Sequence, residues 1–191
     1  MTRAKTNDPA MRDCGVIFDY YDTDKNKFHS YGPAYDSILT HEFRRSARNV
    51  MEVGIADGRG LLSWREIFPG AMCVGLDKEP CNCERGPRLE FHVGDQGDRG
   101  ACLRAVADRQ FDFICEDASH VLANNLLTLF YLWPFIRPGG YYVIEEMQDV
   151  TQYRDNVEQL FYGARLLDTV GPVGGGNEPL VILHKSGGKR K

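Results

Sequence analysis

The chain has 191 residues, 42% hydrophobic and 26% charged, which is enough for one globular domain with a full core. A net charge of −4 and a pI near 5.7 exclude a general binder of phosphate backbones, which needs a basic face, so nucleic acid is not an expected partner. No signal-peptide core and no apolar run of about 18 residues occurs, so neither secretion nor a membrane span is expected and a cytoplasmic location is the default.

Residues 1–15 read as a flexible lead-in. Asn49 to Val53 then reads as a first strand, broken by Gly54, Gly58 and Gly60 and followed by a helix from Leu61 to Phe68 that Pro69-Gly70 stops. Further strands are expected at Ala71–Leu76, Leu89–Val93, Phe111–Cys115 and Tyr141–Ile144, with helices at Ala101–Ala107 and Leu122–Phe135 between them. Strands separated by helices imply a parallel sheet with crossover connections. A helix over Tyr153–Gly163, a segment from Arg165 to Val170, a turn at Gly174–Gly176 and a last apolar run, Leu180–His184, close the pattern as an antiparallel hairpin. The expectation is an α/β, doubly wound, mostly parallel seven-stranded Rossmann-like sheet with an antiparallel edge, occupying 16–184 and followed by a basic disordered tail, 185–191.

Cys14, Cys73, Cys81, Cys83, Cys102 and Cys115 form no paired C-x-x-C set, and the Cys81–Cys83 spacing does not suit a zinc knuckle. Reduced thiols are expected, with Cys73, Cys102 and Cys115 packing as small hydrophobes in apolar runs.

Ligands of such sheets bind outside the carboxyl ends of the strands, and here every parallel strand ends on an acid. Glu52-Val53-Gly54-Ile55-Ala56-Asp57-Gly58-Arg59-Gly60 spaces its glycines as G-x-x-x-G-x-G, unlike the dinucleotide fingerprint, and carries acids where a pyrophosphate would prefer none. A cationic ligand such as S-adenosylmethionine, with its ammonium and sulfonium, fits this loop better. Asp77, ending the second strand, stands where a carboxylate accepts ribose hydroxyls, although Asp caps helices equally well. Asp95 and Gln96 are candidates for the adenine amine, against a similar capping role.

Cys115-Glu116-Asp117-Ala118-Ser119-His120 and Ile144-Glu145-Glu146 bring up to four carboxylates and an imidazole to neighbouring strand ends. Asp117, Glu145 and Glu146 could supply three oxygen ligands to a hard divalent cation. His120 beside them suits a general base, whereas His41, His92 and His184 read as ordinary loop, helix or strand residues. His29, in an aromatic and polar run ahead of the first strand, also invites a functional reading.

These residues resemble a known family, the metal-dependent sugar O-methyltransferases that group with rhamnosyl and macrolide-sugar enzymes and cephalosporin hydroxylase-like proteins. The resemblance runs from about Thr23 to Glu146 and is carried by Thr23-Asp24-Lys25 with His29, Tyr31 and Tyr35; Glu52-Val53-Gly54 with Trp64; Gly94-Asp95-Gln96; Glu116-Asp117-Ala118-Ser119-His120; and Pro138-Gly139-Gly140 leading to Glu145-Glu146. Two departures stand out: the family commonly has Asp-Asp-Gly-Ser-His and Glu-Asp where this chain has Glu-Asp-Ala-Ser-His and Glu-Glu. The resemblance implies a class I methyltransferase fold, S-adenosyl-L-methionine and Mg2+ (or Mn2+) as cofactors, Asp117, Glu145 and Glu146 as metal ligands, and His120 as base. The expected cofactor site comprises Glu52, Gly54, Gly58, Asp77, Asp95, Gln96 and Asp117, covered by Lys25 and Tyr35 from the lead-in. The expected acceptor is a sugar hydroxyl of a glycan or small glycoside. A homo-oligomer and a domain of a larger glycosyltransferase are the assemblies left open. The alternatives are a catechol-type O-methyltransferase, a nicotinamide-dependent oxidoreductase and a non-catalytic nucleotide-binding module.

Overall fold

The computed structural model describes residues 12–83, 85–146, 161, 164–170 and 180–187. Four short helices come first: α1 (Cys14–Tyr20), α2 (Asp24–Lys27), α3 (Gly32–Ile38) and α4 (His41–Ser46). Helices of four to seven residues fall below the window in which periodicity is readable, which is why the sequence ahead of β1 conceals them. Three of the four carry a local signal. Cys14, Ile17 and Phe18 share one buried face of α1, Pro33 stands in the first turn of α3, and the Thr40 hydroxyl caps α4 by accepting from the Phe43 amide at 3.2 Å. Their apolar side closes on the sheet through Trp64, whose ring lies 5.2 Å from Phe18 and 5.0 Å from Tyr35 in edge contacts.

The strands are β1 (Asn49–Val53), β2 (Met72–Asp77), β3 (Leu89–Val93), β4 (Phe111–Glu116), β5 (Ile136–Ile144), β6 (Ala164–Val170) and β7 (Leu180–Lys185), in the order β3-β2-β1-β4-β5-β7-β6. The first five in that order run parallel, and β7 is antiparallel to both neighbours, as expected for a doubly wound sheet with a reversed edge. Helices α5 (Arg59–Ile67), α6 (Arg99–Val106) and α7 (Leu122–Leu132), the last running into a 3-10 turn at Trp133–Phe135, connect β1 to β2, β3 to β4 and β4 to β5, whereas β2 and β3 are joined with no helix among the described residues. Strand order reverses direction between β1 and β4, which places the topological switch point, and hence the ligand crevice, at Gly54 and Asp117.

Three local expectations change. β5 begins at Ile136 rather than Tyr141: Pro138-Gly139-Gly140 is an irregularity within the strand, where the register slips against Phe111 and Phe113 and Gly139 adopts φ +85°. α5 begins at Arg59 because Gly58, at φ +84°, turns the chain directly into the helix. Cys81 and Cys83 form a disulfide rather than two free thiols, their Cα atoms being 5.3 Å apart; Cys14, Cys73, Cys102 and Cys115 are free and buried. The helix expected over Tyr153–Gly163, of which Phe161 alone is described, and the turn at Gly174–Gly176 lie outside the described residues. No helix among the described residues is long and apolar enough to cross a membrane.

Candidate active site

The carboxyl ends of the central strands are held by ladder bonds that continue past the strands. Gly54 N donates to Leu76 O at 2.8 Å, Asp117 N to Val53 O at 2.8 Å and Glu145 N to Glu116 O at 2.9 Å. Glu52, Asp117 and Glu145 are thereby set side by side. Backbone geometry tightens here: Ala56, His120 and Glu146 all adopt left-handed φ, at 44°, 52° and 54°. Such conformations persist only where the surroundings enforce them, and they concentrate at functional sites.

Lys25, reaching in from α2, is buried at the centre of these acids. Its ammonium donates to Asp117 Oδ2 at 2.6 Å and Glu145 Oε2 at 2.7 Å, and lies 3.2 Å from Glu52 Oε1. Glu145 Oε1 accepts from the Tyr35 hydroxyl, and Glu52 Oε1 from the Trp64 indole at 3.0 Å. Burial pushes the Glu52 carboxyl up to about 7 against the opposing pull of Lys25, and raises Glu145 well above the carboxylate range. Burial also acts to raise Asp117, but there the adjacent ammonium outweighs it and holds the carboxyl below its usual value. Asp117 is therefore the firmly ionised acid of the three.

Glu116 points to the other side of β4. Its Oε2 accepts from the Tyr142 hydroxyl at 2.6 Å and its Oε1 from Gln96 Nε2 at 2.8 Å; burial raises it to about 8. Gln96 Nε2 also donates to Thr128 Oγ1 at 3.0 Å, while its Oε1 accepts from the Ser119 amide at 2.9 Å. Both amide hydrogens of Gln96 are thus engaged, and the residue braces the Ala118–His120 turn from below while also lining a cleft above it.

Two clefts open above this floor, of about 500 and 610 Å³, within the size range of cofactor sites. They meet at Gly54, Ala56, Asp117 and Ala118, which line both. Gly54 is irreplaceable at the junction: at φ +85°, a Cβ there would lie 2.1 Å from the Asp117 carbonyl oxygen. The second cleft is lined by Asp77, Asp95, Gln96 and Ser119 among others. Asp77 Oδ2 accepts from the Ile55 and Ala56 amides at 2.8 and 2.9 Å, so it also shapes the glycine loop. Asp95 Oδ1 accepts from Gly97 N at 2.7 Å.

The first cleft is lined by Thr23, Lys25, Glu52, Asp117, His120 and Glu146 among others. Asp117, His120 and Glu146 each offer one ligand atom to a group in which all such atoms lie within 4.8 Å of one another; Asp24, His29 and Glu146 form a second such group. His120 Nε2 lies 3.5 Å from Glu146 Oε2 and 3.9 Å from Asp117 Oδ1. Glu145 is in neither group, because its carboxylate turns inward to Lys25 and Tyr35. The oxygen donors present, one carboxylate from each of two strand ends, fit a divalent cation, and the His120 imidazole stands beside them. Glu52 Oε2, buried with no hydrogen-bond partner, leaves an acceptor on the floor of the first cleft, which fits a ligand ammonium.

Sequence reasoning placed Glu52, Gly54, Asp77, Asp95, Gln96, Asp117, His120 and Glu146 around the clefts, and the structure brings them there. Tyr35 is different: it lines neither cleft and sits in the core against Phe18, Trp64 and Phe113, so its hydroxyl reaches Glu145 and not a cofactor. Gly58 lines neither cleft either and packs on the Cys81–Cys83 bridge, where a Cβ would lie 2.4 Å from Cys83 Cβ. Two features escaped the sequence reading. Arg59 reaches across the first cleft to Asp22 at 2.7 Å, and Gly60 makes room for Glu52, whose Oε1 a Cβ would approach to 2.4 Å. The third glycine of the loop was the available signal for the second.

No family model matches the chain. It is 33% identical over 148 residues to demethylmacrocin O-methyltransferase of Streptomyces fradiae, covering 72% of this chain and 37% of that protein. It is 33% identical over 135 residues to 8-demethyl-8-alpha-L-rhamnosyl tetracenomycin-C 2'-O-methyltransferase of Streptomyces olivaceus, covering 66% and 35%. The chain thus spans under two-fifths of the length of these curated relatives. Its fold matches the MycE methyltransferase, solved with Mg, SAH and mycinamycin VI, at a TM-score of 0.78 and 23% identity, over 94% of this chain and 57% of that one. By sequence the chain belongs to the family of these macrolide- and rhamnosyl-sugar O-methyltransferases, and by architecture to the class I methyltransferase fold.

Proposed function

We propose that this chain is a methyltransferase domain that uses S-adenosylmethionine and a divalent cation, Mg2+ or Mn2+, to methylate a sugar hydroxyl. The observation that carries this reading is the meeting of Asp117, His120 and Glu146 in the first cleft, with Asp117 also lining the second. The relatives' names as sugar O-methyltransferases, and the Mg and SAH of the MycE complexes, support it.

Glu52 and the Gly54 turn would hold the amino-acid end of the cofactor, with Asp77 and Asp95 beside its nucleoside; Asp117 and Glu146 would hold the metal. When bound, the cofactor supplies an electrophilic methyl group and the cation supplies Lewis acidity toward a hydroxyl. His120, at the mouth of the first cleft, accepts the proton leaving the acceptor hydroxyl; such a base contributes about 10²- to 10⁴-fold. Lys25 keeps Asp117 ionised and still, so that catalysis rests on positioning.

A sugar suits the first cleft better than a flat phenol does. Among the described residues that line it, Phe28 is the only phenyl, phenol or indole ring, beside Asp22, Asp24, Asp57, Asp117 and Glu146. Methyl transfer with Mg2+ to methyl α-L-rhamnoside and related deoxy-sugar glycosides, compared with catechol, tests the choice. Turnover of glycosides alone supports a sugar acceptor, and turnover of catechol alone would replace it with the catechol-type reading.

A further inference from the structure

His29 stands between α2 and α3, outside the strand ends that carry the acids, yet its Nε2 lies 3.0 Å from Glu146 Oε1. The other oxygen of the same carboxylate faces His120 Nε2 at 3.5 Å, so Glu146 is bracketed by two imidazoles from separate elements. The His29 ring is not free to swing. It stacks on Tyr31, with centroids 5.1 Å apart and planes at 18°, and Tyr31 itself hydrogen-bonds with the Glu146 backbone. The stacked pair therefore grips Glu146 at both side chain and main chain. Glu146 needs such a hold, because its left-handed backbone, at φ +54°, is one an unrestrained glutamate leaves.

We propose that His29 is a positioning residue that acts through Glu146, donating from Nε2 to one carboxylate oxygen so that the other is presented to the Asp117–His120 group as a metal ligand. Outer partners of this kind fix the orientation of a ligating carboxylate without touching the ion. The inference rests on the metal reading above, and it gives the segment ahead of β1 a task in the site.

The test is Mn2+ binding, followed by electron paramagnetic resonance of the free ion, for the wild type, His29→Phe and His29→Gln. Phe keeps a ring to stack on Tyr31 but lacks the donor, whereas Gln keeps a donor. S-adenosylhomocysteine affinity in EDTA is measured in parallel by calorimetry. His29→Phe should weaken Mn2+ binding by about 10- to 100-fold and leave S-adenosylhomocysteine affinity within about twofold, and His29→Gln should recover most of the loss. Wild-type Mn2+ affinity in His29→Phe would overturn the inference alone. Equal losses of both ligands in both variants would reduce His29 to a structural residue and also overturn it. A wild-type protein that binds no Mn2+ would overturn the metal reading, and the inference with it.

Discussion

His120 and Glu116 show how neighbouring residues on one strand end take different tasks. His120 stands at the cleft mouth in a left-handed conformation, held from below by Gln96 through the Ser119 amide. His120→Ala should lower methyl transfer by about 10²- to 10⁴-fold while leaving S-adenosylhomocysteine affinity unchanged in calorimetry; retained turnover would remove the base role. Glu116 is buried under the site, with its pKa raised to about 8 by that burial. A carboxyl raised above its unfolded value favours the fold while protonated. Its contribution is whole below the unfolded pKa and is lost as pH rises through about 8. Urea melts between pH 5 and 8 should show wild-type stability falling relative to Glu116→Gln by up to about 1.4 kcal/mol per pH unit. Parallel profiles for the two proteins would show that Glu116 is ionised throughout that range.

At the scale of elements, the docking of α2 on the sheet hangs on one ion cluster. Lys25→Met leaves Glu52, Asp117 and Glu145 buried without their cation, and should cost about 3–5 kcal/mol in a urea melt. Lys25→Arg should retain part of that stability. Gly54→Ala, forced against the Asp117 carbonyl at a positive φ, should destabilise by at least about 2 kcal/mol in the same assay. The elements differ in how far the sequence disclosed them. β1 and β3 fall where alternation and glycine breaks put them, because long-range pairing only reinforces a strong local pattern. The turns α1 to α3 stayed hidden, since each is held by tertiary contact with Trp64 and the acid cluster rather than by its own repeat. The inward turn of Glu145 was also unreadable: adjacent carboxylates look alike in sequence, and the placement of Lys25 and Tyr35 separates them.

Across the whole molecule, the switch point between β1 and β4 gathers acids from three strand ends, and the helical segment ahead of β1 folds over them to supply Lys25 and to place His29 against Glu146. The strand-end acids were legible because this fold always assembles its ligand site there. The sequence singled out Lys25 and His29 ahead of β1, but their partners, the acid cluster and Glu146, became visible only in three dimensions. Sugar methylation, metal use and the tasks of individual residues all depend on the clefts accepting a methyl donor. Calorimetric titration of S-adenosylhomocysteine, with Mg2+ and again with EDTA, for the wild type and Asp117→Ala, tests that dependence directly. Stoichiometric binding to the wild type is expected, with a Mg2+ effect that Asp117→Ala abolishes. No binding under either condition would contradict a methyl-donor site and return the clefts to a nicotinamide or non-catalytic role.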